Sequence, residues 1–196
     1  MDQYFLSLVF FAISMVASPG PANMILLVAG SKFGLKKSAP FVIGIILSKQ
    51  FIIWPIGFGL LTFFMYFPNF LTFIKAVSCL YIIWLAWKLA NFKIKANSEL
   101  VSAPSFFYGL PVHPTNPKAW AMISVSFTSY TDVSQSTFYS TLLVAIVFFL
   151  VQLVFHNLWC YFGHQLKIKF QGTKFEVWMM RFLSMLMLVS LSLLFL

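Results

Sequence analysis

Acidic side chains are scarce in this chain. Asp2, Glu99, Asp132 and Glu176 are the only four carboxylates among 196 residues, and all charged residues together make up 9% of it. A soluble domain carries about 25%. With 61% of the residues hydrophobic, no soluble core could bury the apolar surface, so the composition defines a polytopic membrane protein. Cysteine is scarce too. Cys79 and Cys160 are the only two. Both fall in apolar segments and neither sits in a C-x-x-C, which excludes a disulfide scaffold and offers no zinc site. No ATP-binding motif is present, so direct ATP drive by this chain is not expected. No acidic ring or repeated filter sequence suggests an ion channel. Nothing calls for a cofactor or a metal.

What is plentiful is apolar sequence with basic punctuation. Thirteen Lys and Arg give a net charge of +9. They are dispersed beside apolar spans, a pattern that sets membrane orientation and does not imply a nucleic-acid partner. Six apolar stretches can be read at approximately 4–30, 39–64, 68–91, 105–130, 138–163 and 177–196. Each approaches the roughly twenty residues needed to cross about 30 Å of hydrocarbon. The first could imitate a signal peptide, but Met1-Asp2-Gln3 is acidic, a proline follows the candidate cut, and apolar sequence resumes at once. It is expected to be retained as a span.

Loop charge alternates. Lys32, Lys36 and Lys37 mark the first loop, and Lys93 and Lys95 the third. Lys167, Lys169 and Lys174 mark the fifth, whereas the second has no charge and the fourth only Asp132. The positive-inside rule puts loops one, three and five in the cytoplasm and both termini outside. Three spans, a polar linker and three more spans predict an all-α fold of two inverted three-helix repeats. The first repeat covers 1–92, the cytoplasmic linker 93–104, and the second repeat 105–196.

The first span of each repeat is broken by proline. Span one carries "SPGPAN" (Ser18 to Asn23) and span four "HPTNPKA" (His113 to Ala119). Proline removes an N–H and clashes with the carbonyl one turn back, while glycine permits backbone conformations closed to other residues. In hydrocarbon each freed backbone group needs a partner, so such breaks persist where they face protein, water or a ligand. Interrupted segments at matching positions of two halves point to a transport site. A half-helix starting near Pro21 offers N–H groups and a positive dipole end to a carboxylate. Carbonyls freed before the break suit an ammonium, and Asn23 and Asn116 add amides. Pro19, Gly20, Pro21, Asn23, Asn116, Pro117 and Lys118 are therefore candidate substrate-binding residues. Lys118 could meet a carboxylate or a carbonyl cluster, or simply snorkel.

Other polar residues lie at membrane depth. Lys49 falls near the middle of span two, where no Asp or Glu lies at similar depth, and joins the substrate-binding candidates. A lysine turned to an aqueous cavity, or snorkelling along the helix, is the competing reading. Span five carries Gln152, His156 and Cys160 at i, i+4 and i+8, a polar stripe on one helix face. His156 can titrate near neutral pH and, with Gln152, is the proton-relay candidate. Interhelical hydrogen bonding alone would explain the same stripe. His113 immediately precedes the second break and is expected to line the same cavity, and His164 lies at the cytoplasmic end of its span as an interface residue. Lys75 and Lys88 sit nearer span ends and are expected to snorkel. Gly30-x-x-x-Gly34 is a helix-packing signal that runs into a loop.

The run "SPGPANMILLVAGSKFGLKKSAPFVIGI" resembles the N-terminal motif of the lysine exporter (LysE/RhtB) family of amino-acid exporters. "YIIWLAWKLA" (Tyr81 to Ala90) is similar to the end of that family's third span, and "NPKAWAMISVSF" (Asn116 to Phe127) to its second hallmark. The matching positions are Pro19, Gly20, Pro21, Asn23, Asn116, Pro117 and Lys118, and the resemblance covers nearly the whole chain. "NLWCYFGHQL" and "YIIWLAWK" resemble the branch that exports cysteine and O-acetylserine. The resemblance implies a multi-pass protein of the bacterial inner membrane that exports amino acids or close derivatives, in exchange for protons. Its partners would be a small amino-acid substrate, the proton and the bilayer, and six spans per chain are compatible with a homodimer. Three positions depart from the pattern. Ser48 and Lys49 stand where relatives have small or acidic residues, "AVSCLY" lacks a glycine-alanine pair, and Met185 follows Ser184. The alternative from a different class is a membrane thiol-disulfide oxidoreductase using Cys79 and Cys160.

Overall fold

A computed structural model describes residues 2–60, 66, 68–93, 103–132 and 134–192. Among these residues every regular element is helical. The end of the predicted second span (61–64), most of the linker (94–102) and the last four residues lie outside them, as does the Lys75 side chain.

The first predicted span forms two helices. Helix α1 runs Asp2–Ala17, the chain is extended at Gly20, and α2 starts at Pro21. Proline at the first helical position suits it, because its missing N–H would have no intrahelical partner there. Helix α2 (Pro21–Ser48) bends sharply at Gly34, where φ is 75° and ψ is 174°. That left-handed φ favours glycine. The predicted first loop is therefore a one-residue turn between two helical pieces, 21–33 and 35–48, with Lys32, Lys36 and Lys37 on either side of it. Beyond Lys49 the helix resumes as α3 (Gln50–Pro55) and ends in a π-helical turn over Ile56–Leu60. Helix α4 covers Pro68–Ala90.

The fourth predicted span is broken as well. A single helical turn, α5 (Phe106–Gly109), leads through further turns to Asn116, and α6 (Pro117–Ser129) follows. Helix α7 (Thr137–Phe170) has 34 residues, about 51 Å at the α-helical rise. Its start is capped by Ser136, whose Oγ accepts from Tyr139 N. The sequence predicts a span ending near 163, but helix-compatible residues carry α7 well past the bilayer core. Helix α8 (Lys174–Ser192) opens with Thr173 Oγ1 accepting from Glu176 N, while the Glu176 carboxylate accepts from Gly172 N. Such reciprocal capping satisfies helix-start N–H groups that would otherwise be orphans. By length and composition alone, two helical stretches among the described residues could cross a membrane, 21–60 and 137–170; Tyr4–Ala17 and Cys79–Ala90 are shorter apolar helices.

Three apolar clusters hold these elements together. The first joins Leu8 and Ala12 of α1, Ile52 and Ile53 of α3, Ile123 of α6 and Phe148 of α7. The second packs Met24 and Leu27 of α2 against Ile82 and Ala86 of α4 and Met180 and Leu183 of α8. There Ser184 Oγ donates to the Ala86 carbonyl at 2.7 Å. The third wraps the two pieces of α2 around Cys160. Backbones touch directly at two seams. A side chain on Gly30 would strike the Cys160 carbonyl of α7, and one on Gly163 the Leu27 carbonyl of α2. In the same way Gly44 of α2 abuts the Phe106 carbonyl, and Gly109 of α5 abuts the Phe41 carbonyl. So Gly30 does pack helix on helix, while Gly34 makes the turn.

The outer faces are apolar. Phe10, Leu80, Trp87, Leu150 and Val154 are all more than half exposed. Such a surface suits hydrocarbon and would drive association in water.

Candidate functional site

The two proline breaks meet. Lys118, in the first turn of α6, reaches across to the end of α1. Its Nζ donates to Ser18 Oγ at 2.7 Å, the Pro19 carbonyl at 3.3 Å and the Ser18 carbonyl at 3.5 Å. A lysine at a helix start opposes that helix's dipole, but here the ammonium lies against the negative end of a different helix. Asn23 turns to the same carbonyls: its Nδ2 donates to Val16 O at 2.7 Å and Ser18 O at 2.9 Å. Carbonyls that the break frees in α1 are thereby satisfied from within the protein. Asn116 serves the other break. Its Oδ1 accepts from Lys118 N at 3.1 Å and caps α6.

Gly20 is needed for space and not for an unusual φ. Its backbone is extended (φ −172°, ψ 174°), a conformation open to any residue. The Lys118 side chain crosses directly over it, and a Cβ there would lie 3.2 Å from Lys118 Cδ.

Beside the breaks lies a second polar group. Lys49 is 1% exposed, so it neither snorkels nor reaches bulk water. Its Nζ contacts Met122 Sδ at 3.4 Å and lies 4.8 Å from the centroid of the Phe148 ring. His113, Gln152 and His156 form a closed triangle. The two histidine Nε2 atoms are 3.3 Å apart, and Gln152 Nε2 is 2.9 Å from each. The rings stack with centroids 5.5 Å apart. Which ring nitrogen carries a proton, and which way the amide points, are set by assignment. In any tautomer a proton placed between the two Nε2 atoms is within reach of both imidazoles. The remaining polar atoms, both Nδ1 atoms, Gln152 Oε1 and Asn23 Oδ1, are buried without a protein partner.

These groups share one small cavity of about 20 Å³, lined among others by Ser18, Gly20, Asn23, Lys49, His113, Asn116, Lys118, Met122 and His156. That is room for about one water molecule. The start of α2 opens on it and carries no side-chain cap. A much larger cavity, about 820 Å³, lies toward the lysine-rich turn between α2 and α4, lined by Met24, Lys32, Tyr81, Trp84 and Lys88. Met24, next in the chain to Asn23, is buried and lines the larger cavity.

The structure thus brings together candidates that lie up to 140 positions apart in the chain. Lys49, Asn23, Asn116, Lys118 and His156 all line the central cavity, with Gln152 behind the histidines. Pro19 contributes its carbonyl to Lys118, and Pro21 and Pro117 start the two half-helices. His113, expected beside the second break and in the same cavity, does line it, as do Ser18 and Met122, which the sequence does not single out. The serine's spacing from its lysine carries no local signal, and a methionine in an apolar helix looks like ordinary core. His164 lies outside the cavity, against the Gly34 turn. The two cysteines are free and belong to different clusters, Cys79 beside α8 and Cys160 against Gly30. Neither lines the central cavity among its described residues, so nothing in the arrangement favours thiol-disulfide chemistry.

An all-helical chain with lipid-compatible outer faces, built around broken helices and a buried polar cavity, is a membrane translocator in class. The LysE type translocator family matches residues 13–196, so the chain belongs to that family, whose translocators export amino acids. No curated protein and no solved structure matched the chain.

Proposed function

We propose that this protein is a secondary transporter that exports an amino acid or amino-acid derivative from the cytoplasm by proton antiport with alternating access. The observation that carries this reading is the meeting of two proline-broken helices at one buried cavity that also holds Lys49 and the His113–His156 pair. Broken helices supply backbone donors at a midplane site. The paired imidazoles supply a place for the exchanged proton.

The cavity of about 20 Å³ is too small for an amino acid, so the substrate enters only when helices part. The larger cavity beside Lys32 and Lys88 serves as the cytoplasmic vestibule, with Met24 in its wall. Six spans in two inverted repeats, with a cytoplasmic linker at 93–104 and both termini outside, fit the glycine seams. Gly44 in the first repeat's second span meets Gly109 in the second repeat's first span. Gly163 and Gly30 reverse those roles. That exchange is expected of repeats related by a two-fold axis. The membrane is the bacterial inner membrane.

Efflux from preloaded proteoliposomes, measured across a panel of amino acids with and without an imposed pH gradient, tests the reading. Efflux accelerated by an inward proton gradient is expected. Efflux indifferent to the gradient removes the antiport step, and no efflux of any amino acid or derivative removes the whole proposal.

A further inference from the structure

The central cavity is lined by basic side chains and by no acid. Lys49, His113, Lys118 and His156 face it, and none of its described lining residues is Asp or Glu. The two lysines differ in what they touch. Lys118 has three oxygen acceptors within 3.5 Å. Lys49 has a thioether sulfur and an aromatic ring. Sulfur is a weak acceptor, and a ring face attracts a cation without replacing its hydration. A fully buried ammonium without an oxygen partner is costly.

The uncapped start of α2 opens on the same cavity through Gly20, Ala22 and Asn23. The other break offers no such opening, because Asn116 caps α6. One ammonium and one uncapped helix start therefore converge, and a carboxylate satisfies both.

A substrate's ammonium meets no carboxylate among the described lining residues; Asn23 Oδ1 offers it only a neutral acceptor. The carbonyls of Val16, Ser18 and Pro19, which the break frees, already accept from Asn23 and Lys118. A zwitterion would bring its positive charge into a cavity whose described ionisable side chains are all basic. A substrate with net negative charge brings a carboxylate to Lys49 and adds no net positive charge to the cavity.

We propose that the transported substrate is an amino acid or amino-acid derivative of net negative charge, with a carboxylate on Lys49 Nζ and the start of α2, and that Lys49 selects for that charge. The assignment rests on the export reading above. Two chemistries share this charge. One is an amino acid with a second carboxylate in its side chain. The other is an amino acid whose amine is acylated and uncharged.

Proteoliposomes holding the full chain are loaded with labelled glutamate, N-acetylalanine, alanine or lysine at equal concentration, and efflux rates are compared. At least one of the two anionic compounds should leave tenfold faster than alanine or lysine, and which one does so identifies the source of the charge. In Lys49→Met, which keeps the length and loses the charge, that advantage should fall below twofold. Lys49→Arg should keep most of it. If alanine or lysine leaves faster than both anions, the charge assignment is overturned and export still stands. If none of the four leaves, the charge assignment is overturned, and the export reading is decided by the wider amino-acid panel. An anion preference that survives in folded Lys49→Met overturns the role of Lys49. If that variant does not fold, the wild-type ranking and Lys49→Arg decide.

Discussion

Lys118 and Ser18, one hundred residues apart, are joined by a 2.7 Å hydrogen bond from Nζ to Oγ. The bond ties the break of α2 to the break before α6, so the two interruptions form one unit. Removing the ammonium leaves the Pro19 carbonyl without the donor that meets it here. An unsatisfied buried acceptor costs about 1–3 kcal/mol. Lys118→Met should therefore lower stability by about 3 kcal/mol and abolish efflux. Ser18→Ala, which leaves the carbonyl contacts in place, should cost about 1.5 kcal/mol. Thermal unfolding in detergent reads both, and a Lys118→Met midpoint equal to wild type would contradict the account.

Asn116 caps α6 through Oδ1. Asn116→Ala should destabilise by about 1 kcal/mol, the usual loss of an N-cap, and Asn116→Asp should restore it. Equal midpoints for Asn116→Ala and Asn116→Asp would show that the cap contributes nothing.

His113 and His156 act as a pair in the geometry, with Gln152 between them. Either His113→Gln or His156→Gln should remove the acceleration of efflux by a pH gradient. The double variant should be no worse than either single one, because residues that work as a unit are not additive. Full proton coupling in both single variants would reduce the triangle to a structural contact.

Gly30 and Gly163 leave no room between α2 and α7. Gly30→Val should displace a helix and cost about 3 kcal/mol or more. Val154→Ala, on an exposed face of α7, should change stability by less than about 0.5 kcal/mol. A folded Gly30→Val protein with a wild-type unfolding midpoint would show that the seam is loose.

Much of this was legible in the sequence because proline and buried charge leave local marks. The breaks at 18–20 and before Pro117 follow from what proline does to a helix, and both are present. The stripe Gln152, His156 and Cys160 faces inward, as its spacing requires. Less was legible where a role depends on a distant partner. Gly20 suggested a special backbone angle, but the reason for it is the Lys118 side chain overhead. The first loop suggested several residues, yet Gly34 alone turns the chain, because a single left-handed residue suffices. Asn23 suggested a group for a ligand, and its amide donates to carbonyls at the end of α1, whereas Lys118 meets the carbonyl cluster that was one of the partners its position suggested. No local pattern distinguishes a polar group that meets substrate from one that braces the frame around it.

The glycine seams have a mechanical side. Most helix pairs interlock through side chains, and parting them means withdrawing each one and finding it a new rotamer. Along Gly30–Gly163 and Gly44–Gly109 backbone lies against backbone. Separation there breaks only short-range attraction and disturbs no rotamer at the glycines themselves. The cluster around Phe148 is built instead from interlocking side chains, so parting it means moving each of them.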